Sequence, residues 1–116
     1  MKKLHNHLIG VDQGDVALFA DFEDGGPMWT ATGPREKRRA VQFSTPFKAP
    51  PSVQLSIALL DADTQSAVRL ELVAENVTAE GFEIVCRTWL DTRIARMRVS
   101  WMAIGSLPHA DDWELD

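Results

Sequence analysis

Apolar and polar residues alternate at period two along most of the chain, and the alternation recurs in separate blocks. Within residues 53–59, Val53, Leu55, Ile57 and Leu59 share one face, as in a half-buried strand. Residues 68–75 repeat the pattern, with Val68, Leu70, Leu72 and Ala74 on one side and Arg69, Glu71, Val73 and Glu75 on the other. Residues 82–89 set Phe82, Ile84 and Cys86 against Glu83, Val85, Arg87 and Trp89. The last block, residues 94–104, puts Ala95, Met97, Val99, Trp101 and Ala103 opposite Arg96, Arg98 and Ser100, with Gly105 and Pro108 ending it. Two weaker strands are predicted at residues 16–22, with Val16, Leu18 and Ala20 opposite Phe19, and at residues 40–43. No window of similar length carries a sustained 3.6-residue period. The pattern therefore predicts an all-β chain folded as an antiparallel sandwich.

The connections agree. Residues 12–15 and 24–27 have turn compositions, and residues 27–34 read as a loop in which Trp29 anchors onto the core. Pro46, Pro50 and Pro51 make residues 45–51 extended and irregular. Residues 61–66 and 79–81 read as turns. Asp61 and Asp63 lack the further oxygen ligands of a calcium loop, so no metal is expected. Asn76-Val-Thr78 has the form of a glycosylation acceptor, with meaning only in a secreted eukaryotic chain.

Composition narrows the function. At 116 residues the chain is expected to be one domain: strand and loops in 1–35, the sandwich in 36–105, and an acidic tail in 106–116 that carries Trp113. The formal net charge is −5 and no long basic run exists, which disfavours nucleic acid. The cluster Arg35 to Arg39 contains Glu36 and reads as the solvated start of a strand. Cys86, the one cysteine, falls on an inward position and reads as a buried structural thiol. Residues 1–7 are basic without the apolar run of a signal peptide, and nothing approaches the ~20 apolar residues of a membrane span. The expectation is a cytoplasmic protein, or one exported by a non-classical route. His5, His7 and His109 lie at the termini, and no catalytic arrangement of Ser, His, Asp or Cys has supporting context. Neither an enzyme nor a cofactor is expected.

One stretch concentrates chemistry. Residues 87–96, between two predicted strands, hold Trp89, Asp91, Arg87, Arg93 and Arg96. A flat ring beside charged hydrogen-bonding groups suits recognition of a small polar ligand. The outward set of the last three strands (Arg69, Glu71, Val73, Glu83, Val85, Arg87, Arg96 and Arg98) mixes paired charges with valines. Such a face predicts a homo-oligomer with this sheet at the contact.

Taken together, Val41-Gln-Phe-Ser-Thr-Pro-Phe47, Pro50-Pro51, Leu60-Asp61, Arg69, Ala74-Glu-Asn-Val-Thr78, Glu80-Gly-Phe82, Arg87-Thr-Trp89, Asp91-Thr-Arg93 and Val99-Ser-Trp-Met-Ala-Ile-Gly105 resemble the H-type lectin domain of snail agglutinins and discoidins. The resemblance covers residues 36–105. It implies a six-stranded antiparallel β-sandwich, a homo-trimer or hexamer, and a site for galactose-type sugars such as N-acetylgalactosamine at the subunit boundary. It assigns sugar contacts to Arg69 on the fourth strand and Trp89 after the fifth; a sugar-binding module would add Asp91 and Arg93 as accessory contacts. Three positions depart from the family. Leu90 stands where the agglutinins have His, Ala95 where they have Tyr, and Thr32 where they have a loop Asp. A realignment brings Asp24 or Glu36 to that last position. The alternative to a sugar-binding module is a structural or attachment module that uses the same fold without a sugar.

Overall fold

The computed structural model describes residues 1–5 and 7–108. His109, Trp113 and the rest of the acidic tail lie outside the described residues. Among the described residues six strands form: β1 (Ile9–Phe19), β2 (Arg35–Gln42), β3 (Ser52–Ala62), β4 (Glu71–Glu75), β5 (Gly81–Thr88) and β6 (Ile94–Ser106). They make two antiparallel three-stranded sheets, β1-β6-β3 and β2-β5-β4, the sandwich that the alternation predicts. No described helix is long and apolar enough to cross a membrane.

The core lies between the sheets. Phe82, Ile84 and Cys86 of β5 face Met97, Val99, Trp101 and Ala103 of β6, all at most 8% exposed. Phe43, Phe47, Phe82 and Trp101 form an aromatic group, with centroids 4.9 Å apart edge-to-face for Phe43–Phe47 and 5.4 Å for Phe82–Trp101. Such edge and offset contacts add to plain burial. The proline-rich segment after β2 is pinned by backbone bonds from Phe47 to Ala79 and from Lys48 to Ser106.

Several expectations are corrected. The first strand is Ile9–Phe19, not 16–22, and it runs straight through the expected turn at 12–15. Its inward positions there are Gly10, Asp12 and Gly14, which give no apolar signal. A Cβ on Gly14 would sit 2.7 Å from the Trp101 Nε1, so the ring occupies the space that glycine leaves. The Asp12 carboxylate accepts the Ser44 N–H at 2.8 Å and its hydroxyl at 3.0 Å. Two four-residue helices, α1 (Asp21–Asp24) and α2 (Pro27–Thr30), replace strand and loop. Pro27 starts α2, and the buried Asp21 carboxylate accepts the Met28 N–H at 2.9 Å. One helical turn is too short to show a period. In β3 the register shifts between Ile57 and Leu59, so Leu59 stands opposite Arg98 and Leu60 opposite Met97.

The mixed outer face also divides. Arg96 and Arg98 belong to the other sheet, where they pair with Asp61 and Asp15, because the chain crosses the sandwich between β5 and β6. On the β2-β5-β4 face, Arg38 pairs with Glu36, Glu75 and Glu83, and Arg87 with Glu36, Glu71 and Glu75. Val85 is 0% exposed within the single chain, beside Arg38 on β2 and Val73 on β4. That valine therefore needs no second protomer to cover it.

Candidate functional site

The chemistry gathers where β5 ends. Thr88 closes the strand, Trp89 to Asp91 turn, and Ile94 opens β6. Leu90 adopts φ +57°, a left-handed conformation that a leucine holds only under constraint. The constraint is visible at its carbonyl, which accepts the Gly33 N–H at 2.8 Å and an Arg35 Nη2–H at 3.0 Å. Gly33, at φ +79°, supplies the left-handed residue that brings its own N–H round to the turn.

Arg35 holds the neighbouring loops together. It was expected at the solvated start of a strand, yet it is 8% exposed. Its Nε donates to Gly33 O at 2.8 Å, and its Nη1 donates to Thr92 O at 2.8 Å and Pro27 O at 3.3 Å. With Leu90 O, one planar guanidinium thus binds the start of α2, the segment before β2 and the β5–β6 turn. Burial pulls its pKa below the ordinary value, and the ring of carbonyl acceptors offsets that cost.

Arg69 approaches from the other side. It precedes β4 by two residues rather than lying within it. The Thr88 hydroxyl donates to Arg69 O, the Arg69 N–H donates to Thr92 Oγ1 at 3.2 Å, and Thr92 Oγ1 donates to Ala67 O at 2.7 Å. Two buried threonines therefore strap this segment to the turn. The Arg69 Nη1 then reaches Asp91 Oδ1 at 2.8 Å and Thr92 Oγ1 at 3.2 Å. The β4–β5 pairing ends at Glu71 opposite Arg87, and the Thr88 hydroxyl on Arg69 O ties Arg69 to the residue before Trp89. Trp89 is 40% exposed, and the Asp91 side chain is 68% exposed. A guanidinium and a carboxylate thus meet at one rim, on the turn that carries an exposed indole.

The remaining expected residues are placed as follows. Leu90 is exposed and apolar, and Ala95 is buried at 6% exposure. Thr32 is exposed on the segment that reaches Leu90 through Gly33. Arg93 turns away: its Nε donates to Trp29 O at 2.8 Å and its guanidinium carbon lies 4.2 Å over the Trp29 ring. It also pairs with Asp63 at 3.4 Å, so Arg93 and Trp29 lock α2 against the loop after β3. Of the two realignment candidates, Asp24 accepts the Gly26 N–H, and Glu36 pairs with Arg38 and Arg87 on β2. Sequence reasoning missed Thr88, Thr92 and Arg35. Counting back from the inward Val41 at period two gives Arg35 an inward position, a signal that its basic neighbours masked.

A cleft of about 330 Å³ adjoins the rim, lined by Pro34, Arg35, Glu36, Arg87, Thr88 and Trp89. A larger depression of about 510 Å³ lies on the outer face of β1-β6-β3. Its one aromatic ring, Trp101, is 8% exposed, so the chemistry favours the smaller cleft.

The H-type lectin domain model matches residues 38–104. A protein of Fuscovulum blasticum, ORF 7 of an ATP synthase subunits region, is 49% identical over 108 residues, covering 93% of this chain and 94% of that one. A discoidin-1 chain of Dictyostelium discoideum is 29% identical over 75 residues, which span 64% of this chain and 30% of that protein. Discoidin II of the same organism has a similar solved structure, with a TM-score of 0.75 at 24% identity, over 90% of this chain and 40% of that one. The chain thus spans less than half of either discoidin.

Proposed function

The chain belongs to the H-type lectin domain family, and on that premise we propose that it binds galactose-type sugars, N-acetylgalactosamine among them, at the rim of Arg69, Trp89 and Asp91. One observation carries the reading: the 2.8 Å pair between Arg69 and Asp91, on the turn that also carries the exposed Trp89. Paired hydroxyls of a sugar present donors and acceptors together. Arg69 supplies the donors, Asp91 the acceptors, and Trp89 an apolar face for the ring's C–H edge. Nothing in this arrangement breaks bonds, and the module acts by binding alone. Titration of the intact protein with galactose and N-acetylgalactosamine tests the reading. Saturable binding that Arg69→Ala weakens more than ten-fold supports it, and a broad glycan array without a single binder refutes it.

The module works as a homo-trimer or hexamer. We move its contact from the β2-β5-β4 face expected from the sequence, whose charges pair within the chain, to the outer face of β1-β6-β3, where Val11, Met102 and Ile104 are 61%, 40% and 38% exposed. Light scattering is expected to return a mass three or six times that of the chain, and a monomer mass refutes the assembly. A second reading, an attachment module that keeps the assembly without a sugar, is favoured by Thr32, Leu90 and Ala95, none of which offers a carboxylate, imidazole or phenol. An intact oligomer with a blank array supports that reading.

A further inference from the structure

Resting on the sugar-binding reading above, we propose that the cleft between Pro34, Glu36, Arg87 and Trp89 is a second subsite, which takes the neighbouring neutral residue of an oligosaccharide. The register places it. Arg35 faces Thr88 and Glu36 faces Arg87 across β2 and β5, while Glu71 faces Arg87 across β4 and β5. Residues two apart on a strand share a face. One row across the sheet is Glu71, Arg87 and Glu36. In the row beyond it, the Gly33 N–H on Leu90 O carries the β2–β5 register to Pro34 beside Trp89, and the Thr88 hydroxyl on Arg69 O brings Arg69 to the same end of β5. The rows are about 7 Å apart, two strand residues. That separation leaves room for a second hexopyranose ring beside the first. Trp89 borders both rows, so a ligand on Arg69 and Asp91 extends directly into the cleft.

The cleft has the size and the groups for this role. Its volume of about 330 Å³ is at the low end of small-ligand sites, roughly 300–1,000 Å³. Glu36 accepts from Arg87 Nε at 3.2 Å and Arg38 Nε at 3.0 Å. Carboxylate oxygens have lone pairs beyond those bonds, and these are open to sugar hydroxyls. The charge balance selects among ligands. Around Arg38 and Arg87 stand four carboxylates, Glu36, Glu71, Glu75 and Glu83. Of these only Glu36 lines the cleft, beside Arg35 and Arg87; Arg87 is already shared by Glu36, Glu71 and Glu75, and Arg35 by backbone carbonyls. An acidic second ring meets Glu36 and two guanidiniums already bonded, and a neutral one meets neither obstacle.

The test uses the intact protein, N-acetylgalactosamine, its neutral disaccharides with galactose at each hydroxyl, and the same disaccharides with a uronate in place of the galactose. At least one neutral disaccharide is expected to bind ten-fold or more tighter than the monosaccharide, and its uronate counterpart to lose that gain. Glu36→Gln is expected to bring the disaccharide-to-monosaccharide ratio below two-fold. Equal affinity for one ring and two overturns the inference, and so does a ratio that Glu36→Gln leaves unchanged. Absence of binding by every sugar overturns the underlying reading, and the subsite falls with it.

Discussion

Arg35→Met isolates the residue that holds the site's loops in place. The substitution keeps the volume of the stem and removes every donor. Three of its bonds are short: 2.8 Å to Gly33 O, 2.8 Å to Thr92 O and 3.0 Å to Leu90 O. A hydrogen bond with one charged partner contributes about 1.5–3 kcal/mol, so the three together set a ceiling of about 5–9 kcal/mol. Two effects reduce it. Leu90 O keeps the Gly33 N–H, and the variant no longer buries a charge. The expected loss is about 2–6 kcal/mol, since Gly33 O and Thr92 O are left without this donor at roughly 1–3 kcal/mol each. A domain with about 5–15 kcal/mol of stability stays folded, but with a much lower denaturation midpoint. Urea unfolding followed by tryptophan fluorescence, with linear extrapolation, measures it. Arg35→Lys, a compact charge without the planar fork, is expected to fall between wild type and the methionine variant. A methionine variant within about 1 kcal/mol of wild type refutes the idea that Arg35 ties these loops together, since that is the scale of a single neutral hydrogen bond.

Three further outcomes follow from the same structure. Burial pushes the Cys86 thiol up to about 11 from an ordinary 9.0, so a disulfide reagent at neutral pH is expected to leave the native protein unlabelled and to label the urea-unfolded chain fully. The unfolded thiol ionises first, so this group's contribution to stability is present below about pH 9 and declines as the pH rises toward about 11. Hydrogen bonds from Arg87 and then Arg38 hold the Glu75 carboxyl below its ordinary 4.5. Its stabilisation is present above the unfolded pKa and is lost as pH falls through the folded value, so Glu75→Gln is expected to flatten the acid side of the urea-midpoint profile. Gly14→Ala drives a Cβ to 2.7 Å from a Trp101 ring already packed on Phe43 and Phe82, and a fall of about 1–3 kcal/mol in urea-measured stability is expected.

The strands that were legible in the sequence are those whose inward positions are all apolar. Phe82, Ile84 and Cys86 announce β5, and Met97, Val99, Trp101 and Ala103 announce β6. The first strand was half legible, because its inward Gly10, Asp12 and Gly14 make room for Leu107 and Trp101 and bind Ser44 instead of supplying apolar surface. Alternation reports which face a residue takes but not which sheet carries it, so Arg96 and Arg98 were grouped with Arg87 across the sandwich. The candidate site was legible in its exposed members, Arg69, Trp89 and Asp91, because a ring and charges cluster there. Its supports were not. Thr88, Thr92 and Arg35 act through backbone carbonyls and N–H groups, which leave no mark in a sequence pattern.

That division between exposed contacts and hidden supports bears on how tightly one site holds a sugar. The turn's own side chain at Leu90 is apolar, its carbonyl is taken twice, and Ala95 is buried. If the proposed rim binds sugar, hydroxyl recognition rests on the Arg69–Asp91 pair, which the sugar would share with the existing salt bridge. The net gain from such charge-assisted bonds is about 1.5–3 kcal/mol each, and the stacked ring adds about as much as a single aromatic contact, roughly 0.5–1.5 kcal/mol. Against the cost of immobilising a ligand, this leaves a single rim near the millimolar level, about −4 kcal/mol. Linking several rims in one assembly raises avidity by about 10²–10⁴ without any new contact. On the proposed reading, the polar economy of the turn and the exposed apolar face of β1-β6-β3 lead to one expectation: a single copy of the site binds weakly, and useful binding comes from several copies held together.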